Sequence, residues 1–133
     1  MLRVYRRGEL IELFEEKNLI VVGSQPTHAK LLGGDVTSQS VTRIGFGTNG
    51  TTPVFSNSSL TGAYTKAVDT VSYPATNQVQ FAFSLGTAEA NAMAISEFGL
   101  LTAGGTLYAR KTRSTPLNKD DDITFSGTWT VFF

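Results

Sequence analysis

The clearest pattern along the chain has a period of two. Val79, Phe81, Phe83 and Leu85 alternate with Gln78, Gln80, Ala82 and Ser84, as in a strand with one apolar face. Near the end, Ile123, Phe125, Trp129, Val131 and Phe133 share one parity, with Thr and Ser on the other. Gly127 falls on the apolar parity and marks a bulge or a close contact. Residues 41–46, 94–101 and 106–111 also read as strands, and residues 63–73 as a weaker, two-sided one that stops before Pro74. Ala103-Gly104-Gly105 joins the third and second of these as a hairpin turn whose glycines can take positive φ. Residues 47–59 form a long polar loop broken by Pro53. One helix is signalled, over Ser24–Leu32, with Pro26 in its first turn and Gly33-Gly34 past its end.

The first residues carry two patterns at once. Leu10, Ile11, Leu13 and Phe14 fit a helical stripe, and equally a short strand leaving a turn at Arg7-Gly8. Gly8 and Asn18 bracket the segment as turn residues and favour strands, paired with Val4-Tyr5 and with residues 19–22. About seven strands and one short helix predict an all-β fold, a jelly-roll-like β-sandwich forming a single domain over residues 1–133.

Charge changes this picture at one end. Residues 1–17 hold four basic and four acidic side chains, whereas residues 69–105 hold only Asp69, Glu89 and Glu97. The N-terminal segment therefore reads as an arm or edge element, and the middle as buried sheet. Over all 133 residues, 11 basic side chains balance 11 acidic ones, which argues against the basic footprint of a nucleic-acid binder. Charged residues are only 17% of the chain, and Ser and Thr together number 29. A surface so weakly charged favours association.

The absence of cysteine excludes disulfides, thiolate zinc sites and a cysteine nucleophile. Leu19-Ile20-Val21-Val22 is far too short to span a membrane. Arg3, Arg6 and Arg7 mimic the start of a signal peptide, but the residues from Gly8 to Glu12 are not an apolar core for one. The expectation is synthesis in a reducing cytoplasm.

Several constellations invite a chemical reading. Gly45-Phe46-Gly47-Thr48-Asn49-Gly50 matches the dinucleotide fingerprint, but Thr51-Thr52-Pro53 follows where a helix must begin to hold the pyrophosphate. A glycine-rich loop between strands is the better reading. Asp120-Asp121-Asp122 offers oxygen ligands, yet a calcium loop starting there needs Gly at Phe125 and Glu at Val131. A solvated turn, relieved by Lys119, is preferred, and no metal or other cofactor is expected. His28 is the only histidine, and no serine lies in a nucleophile elbow. Glu89 and Glu97 form a conceivable glycosidase dyad. Glu97, lying in a strand between Ile95 and Phe98, reads better as one half of an ion pair with Arg110 or Lys111. No catalytic residues are assigned. Asn49-Gly50-Thr51 and Asn57-Ser58-Ser59 are glycosylation sequons that carry no weight without secretion. Of Phe132 and Phe133, one must face away from the sheet interior, where a subunit interface would cover it.

Residues 95–113, Ile-Ser-Glu-Phe-Gly-Leu-Leu-Thr-Ala-Gly-Gly-Thr-Leu-Tyr-Ala-Arg-Lys-Thr-Arg, resemble a pattern of tailed-phage virion proteins. That pattern runs Ile-x-Glu-x-Gly-Leu, a glycine turn, Leu-x-Ala-Arg, a Lys-Asp turn and a final Trp strand, here Lys119 to Asp122 and Trp129. The stretch from Ile44 to Pro53 is similar to related virion proteins too, so the resemblance covers residues 41–133, and loosely the arm through Gly34. Small capsid-cementing proteins and tail or fibre proteins share it. The short chain, without heptads or repeats, is most like a cementing, or decoration, protein.

The resemblance implies a non-enzymatic jelly-roll body on the outside of the head shell of a virion assembled in a host bacterium. Its partners would be the major capsid protein, whose capsomers it clamps, and further copies of itself as dimer or trimer. Leu10, Leu13 and Phe14 on the arm, with Phe132 and Phe133, are the candidate partner-interface residues. Arg6, Arg7, Glu15 and Glu16 would set register. The alternative is a tail, baseplate or fibre-tip component binding virion proteins or host glycans through the loop over residues 47–59 and Tyr64 or Tyr73.

Overall fold

The computed structural model describes residues 1–15 and 18–133, so Glu16 lies outside the described residues. Among the described residues the fold is all-β apart from one helix, as the patterning predicts. In order the elements are β1 (Leu2–Arg6), β2 (Glu9–Phe14), β3 (Leu19–Ile20), α1 (Ser24–Leu32), β4 (Val41–Gly47), β5 (Tyr64–Ala67), β6 (Thr70–Ser72), β7 (Gln78–Leu85), β8 (Ala94–Thr102), β9 (Leu107–Asn118) and β10 (Ile123–Phe132). They form two five-stranded sheets, in the orders β2-β1-β10-β7-β6 and β3-β9-β8-β4-β5. The chain divides into two compact units along the same lines, one sheet to each.

In the first unit, β10 is the central strand, antiparallel to both β1 and β7. Its alternation puts Ile123, Phe125, Trp129 and Val131 on one face, opposite Phe81, Phe83 and Leu85 of β7 and Leu2 and Val4 of β1, all buried. Burying each such side chain contributes about 1.5–3 kcal/mol, so this face is a large favourable contribution to folding. Gly127 lies within this row because nothing larger fits. A Cβ there would stand 2.6 Å from the Met1 carbonyl oxygen and 2.8 Å from Phe83. Phe133, on the same parity, is nonetheless exposed: the strand ends at Phe132, and the Phe133 N–H donates to the Asn77 carbonyl.

In the second unit, β4 and β8 pair with Ile44 opposite Leu100 and Phe46 opposite Phe98. The two phenyl rings meet edge to face at 5.8 Å. The β8–β9 turn uses Gly105 at φ +89°. Helix α1 has the predicted bounds. Gly23 before it lies so close to β9 that a Cβ would come within 2.3 Å of the Leu107 carbonyl.

Two expected pairings differ. Residues 19–22 do not join the N-terminal segment: Leu19 and Ile20 pair with Arg110 and Ala109 of β9 in the second sheet. Residues 63–73 are two strands, β5 and β6, belonging to different sheets, because the chain leaves one sheet after Ala67 and enters the other at Thr70.

Candidate interaction surface

The N-terminal segment is a hairpin. Arg7 and Gly8, at φ +50° and +83°, make the tight turn between β1 and β2, and the Arg7 N–H donates to the Asp122 carbonyl. The Arg6 and Arg7 Nε atoms lie 3.2 and 3.9 Å from Asp122 Oδ2. These two arginines therefore tie the hairpin to the acidic turn before β10, with little energy from such exposed pairs. β1 lies inside the sheet, and β2 is the edge.

Register determines what β2 displays. Leu2 opposes Phe14, Arg3 opposes Leu13 and Tyr5 opposes Leu10, with an irregularity between Val4 and Tyr5 that accommodates Ile11. Residues directly opposite share a face, so Phe14 lies on the buried face with Leu2 and is half-buried. Leu10 and Leu13 lie on the other face, 54% and 59% exposed, and Ile11 is 50% exposed. The extra residue is what brings two leucines three positions apart onto one face. Ile11 is absent from the sequence-derived set because no sequence feature marks the irregularity.

Phe132 opposes Gln78 on the same face as Leu10 and Leu13, and Phe132 and Phe133 are 66% and 69% exposed. The two groups are not one patch. Leu13 is level with Ser126 of β10 through Arg3, and six residues of strand put Phe132 about 20 Å further along. The surface between carries Ser126, Thr128 and Thr130 beside Ser84, Ala82 and Gln80. Phe14 faces away from Leu10 and Leu13. The structure thus keeps Leu10 and Leu13 together and separates Phe14 and the C-terminal phenylalanines from them.

Residues 44–53 and 95–113 contribute to the packing of the second unit. Glu97 of β8 and Arg110 of β9 are buried, with Arg110 Nε donating to Glu97 Oε1 at 2.8 Å. The second carboxylate oxygen accepts the Asn49 and Thr61 N–H groups at 2.9 and 2.8 Å. The guanidinium also donates to the Asn49 and Thr51 carbonyls and to Asn57 Oδ1. One ion pair thereby pins both ends of the polar loop after β4. Gly47 leaves room for it, since a Cβ there would lie 2.5 Å from Glu97 Oε2; Gly45 likewise makes room for Leu60. The fingerprint glycines are packing positions, and no helix follows them.

The remaining candidates have local partners. Asn49 and Asn57 of the sequons accept hydrogen bonds within the loop, from Thr51 and Val54. His28 Nε2 lies 2.7 Å from the Tyr108 hydroxyl, and burial pushes the Tyr108 phenol above its ordinary value of 10.0. Glu89 Oε1 accepts the Gly86 N–H. Asp120 and Asp121 are exposed in a turn, and no group of three or more metal-ligating side chains occurs among the described residues. No described helix is long and apolar enough to cross a membrane. Comparison with protein-family models, curated proteins and solved structures found no match.

Proposed function

We propose that the protein is a non-enzymatic cementing protein of a tailed-phage head, a jelly-roll-like body on the outer shell surface. The observation that carries this reading is β2, an edge strand bearing Leu10, Ile11 and Leu13 in water. Exposed apolar edges invite association, and soluble proteins usually blunt them. A partner strand or apolar shelf on the major capsid protein would cover these side chains and extend the sheet at its edge strand. DNA packed inside a head loads the shell outward. Many modest contacts across capsomer boundaries then sum by multivalency into strong resistance.

Phe132 and Phe133, about 20 Å along the strands from Leu13, are a second anchor suited to a neighbouring capsomer or to another copy of the chain. The structural use made of the pattern residues fits a rigid clamp, because a loop held by a buried ion pair transmits load without rearranging. The same loop exposes Val54 and Phe55 at about half their surface, which favours a tail or receptor-binding role as the second reading. Adding purified protein to expanded, DNA-free shells and sedimenting them separates the two. Saturable binding in proportion to the shell protein supports cementing, and no binding to shells favours the tail.

A further inference from the structure

Lys119, between β9 and the acidic turn, is only 1% exposed. Its ammonium nitrogen lies 2.8 Å from Asn91 Oδ1 and 3.0 Å from the Asp120 carbonyl. Two backbone bonds hold the segments in this register: the Ala92 N–H donates to the Lys119 carbonyl and the Lys119 N–H to the Met93 carbonyl, both at 2.9 Å. Asn91 is fixed from its other side too, its amide nitrogen donating to the Thr87 carbonyl at 2.8 Å. The residues flanking it, Ala90 and Ala92, both have positive φ, +54° and +68°. Such strain in non-glycine residues persists only where the surroundings impose it, and it is found at sites that do chemistry. A buried lysine and an oriented carboxamide are the two groups that amide exchange joins; Glu89, whose carboxylate accepts the Gly86 N–H, acts on the lysine through its charge.

We propose that Lys119 and Asn91 join through an intramolecular isopeptide bond. The neutral Lys119 amine attacks Asn91 Cγ, forming a C–N bond. The bond from Cγ to the original amide nitrogen breaks, and ammonia leaves with the proton that the lysine nitrogen gives up. No oxidant, metal or nucleotide is consumed. Glu89 carries that proton from one nitrogen to the other. Burial holds the Lys119 amine below the ordinary lysine range and so favours the nucleophilic form, while Glu89, then Asp120, Asp121 and Asp122, pull it back up. Asn91 is at the surface, which lets the ammonia escape to water. The bond would close a covalent loop between the segment after β7 and the start of the acidic turn, so that this end of the sheet cannot peel open under load. The inference stands independently of the cementing role.

The test is the mass of the purified full-length chain under denaturing conditions, followed by tryptic mapping. The expected mass is lower than the sequence mass by one ammonia. The digest should contain a branched peptide joining residues 67–110 to residues 114–133, with Lys119 uncleaved. Asn91→Ala should restore the lost mass and make Lys119 cleavable, a readout that does not depend on folding. A wild-type chain of full mass, cleavage after Lys119, or ammonia loss that maps to Asn49-Gly50 would overturn the proposal. Glu89→Gln should slow linkage at least ten-fold in protein whose circular dichroism is unchanged. An unchanged rate would remove Glu89 from the step.

Discussion

Arg110 and Glu97 face each other across neighbouring strands, Nε to Oε1 at 2.8 Å, with 1% and 0% of their side-chain surfaces exposed. Their remaining bonds go to the loop after β4, so the pair determines where residues 49–61 lie. Removing one partner strands a buried charge. Arg110→Met is expected to cost about 3–5 kcal/mol in urea unfolding. The double change Arg110→Met/Glu97→Leu should recover only part of this, because the loop carbonyls lose their donor as well. A single variant within 1 kcal/mol of wild type would show that the pair contributes little.

Gly127 is a packing position in a strand that is otherwise regular. Gly127→Ala drives a methyl toward a backbone oxygen that cannot swing away, and overpacking of this kind costs about 1–3 kcal/mol. The urea midpoint should fall with an unchanged slope. Gly33→Ala, where the nearest atom to a Cβ is at 3.4 Å, is the control expected to be near neutral.

Much of this was legible in the sequence, for physical reasons that differ by element. Helix α1 was marked by Pro26, whose ring fixes φ in the first turn, and by Gly33-Gly34 past its end, where Gly34 takes φ +91°. β7 and β10 were marked by alternation, since one face of each is buried. Glu97 was expected to pair because a carboxylate flanked by Ile95 and Phe98 needs a partner. The division of residues 63–73 between two sheets was not legible, since Val68-Asp69 carries no turn signal and tertiary pairing decides it. Nor was the partner of Leu19-Ile20, a two-residue strand too short to specify its own register. Within the candidate surface, Leu10 and Leu13 were found as apolar residues in a charged segment. The face of Phe14 and the exposure of Ile11 depend on an irregularity that only the register between β1 and β2 reveals.

The Tyr108 phenol is raised by burial, so the folded chain keeps its proton to higher pH than the unfolded chain does. The sign follows: this group adds no pH dependence well below 10.0, and stability falls as pH rises above that value, until the folded phenol also ionises. Wild type should therefore lose stability more steeply than Tyr108→Phe above pH 10, as read from urea midpoints. Parallel slopes would contradict the burial effect.

Leu10 and Leu13 are more than half exposed, so Leu10→Lys/Leu13→Lys should change monomer stability by no more than about 1 kcal/mol in all. If β2 is the docking edge, the same change weakens binding to shells at least ten-fold, as expected when central apolar anchors are lost. Sedimentation with shells measures this directly. Binding at wild-type affinity would move the interface elsewhere, with Phe132 and Phe133 the next residues to change.

The central claim is that the chain cements a phage head, and its most direct test is copy number. Quantitative mass spectrometry of virions purified from a host that expresses the protein would give its ratio to the major shell protein. The account predicts a ratio near one to one. A handful of copies per particle, or none, would contradict it and direct attention to the tail and to the exposed loop residues Val54 and Phe55.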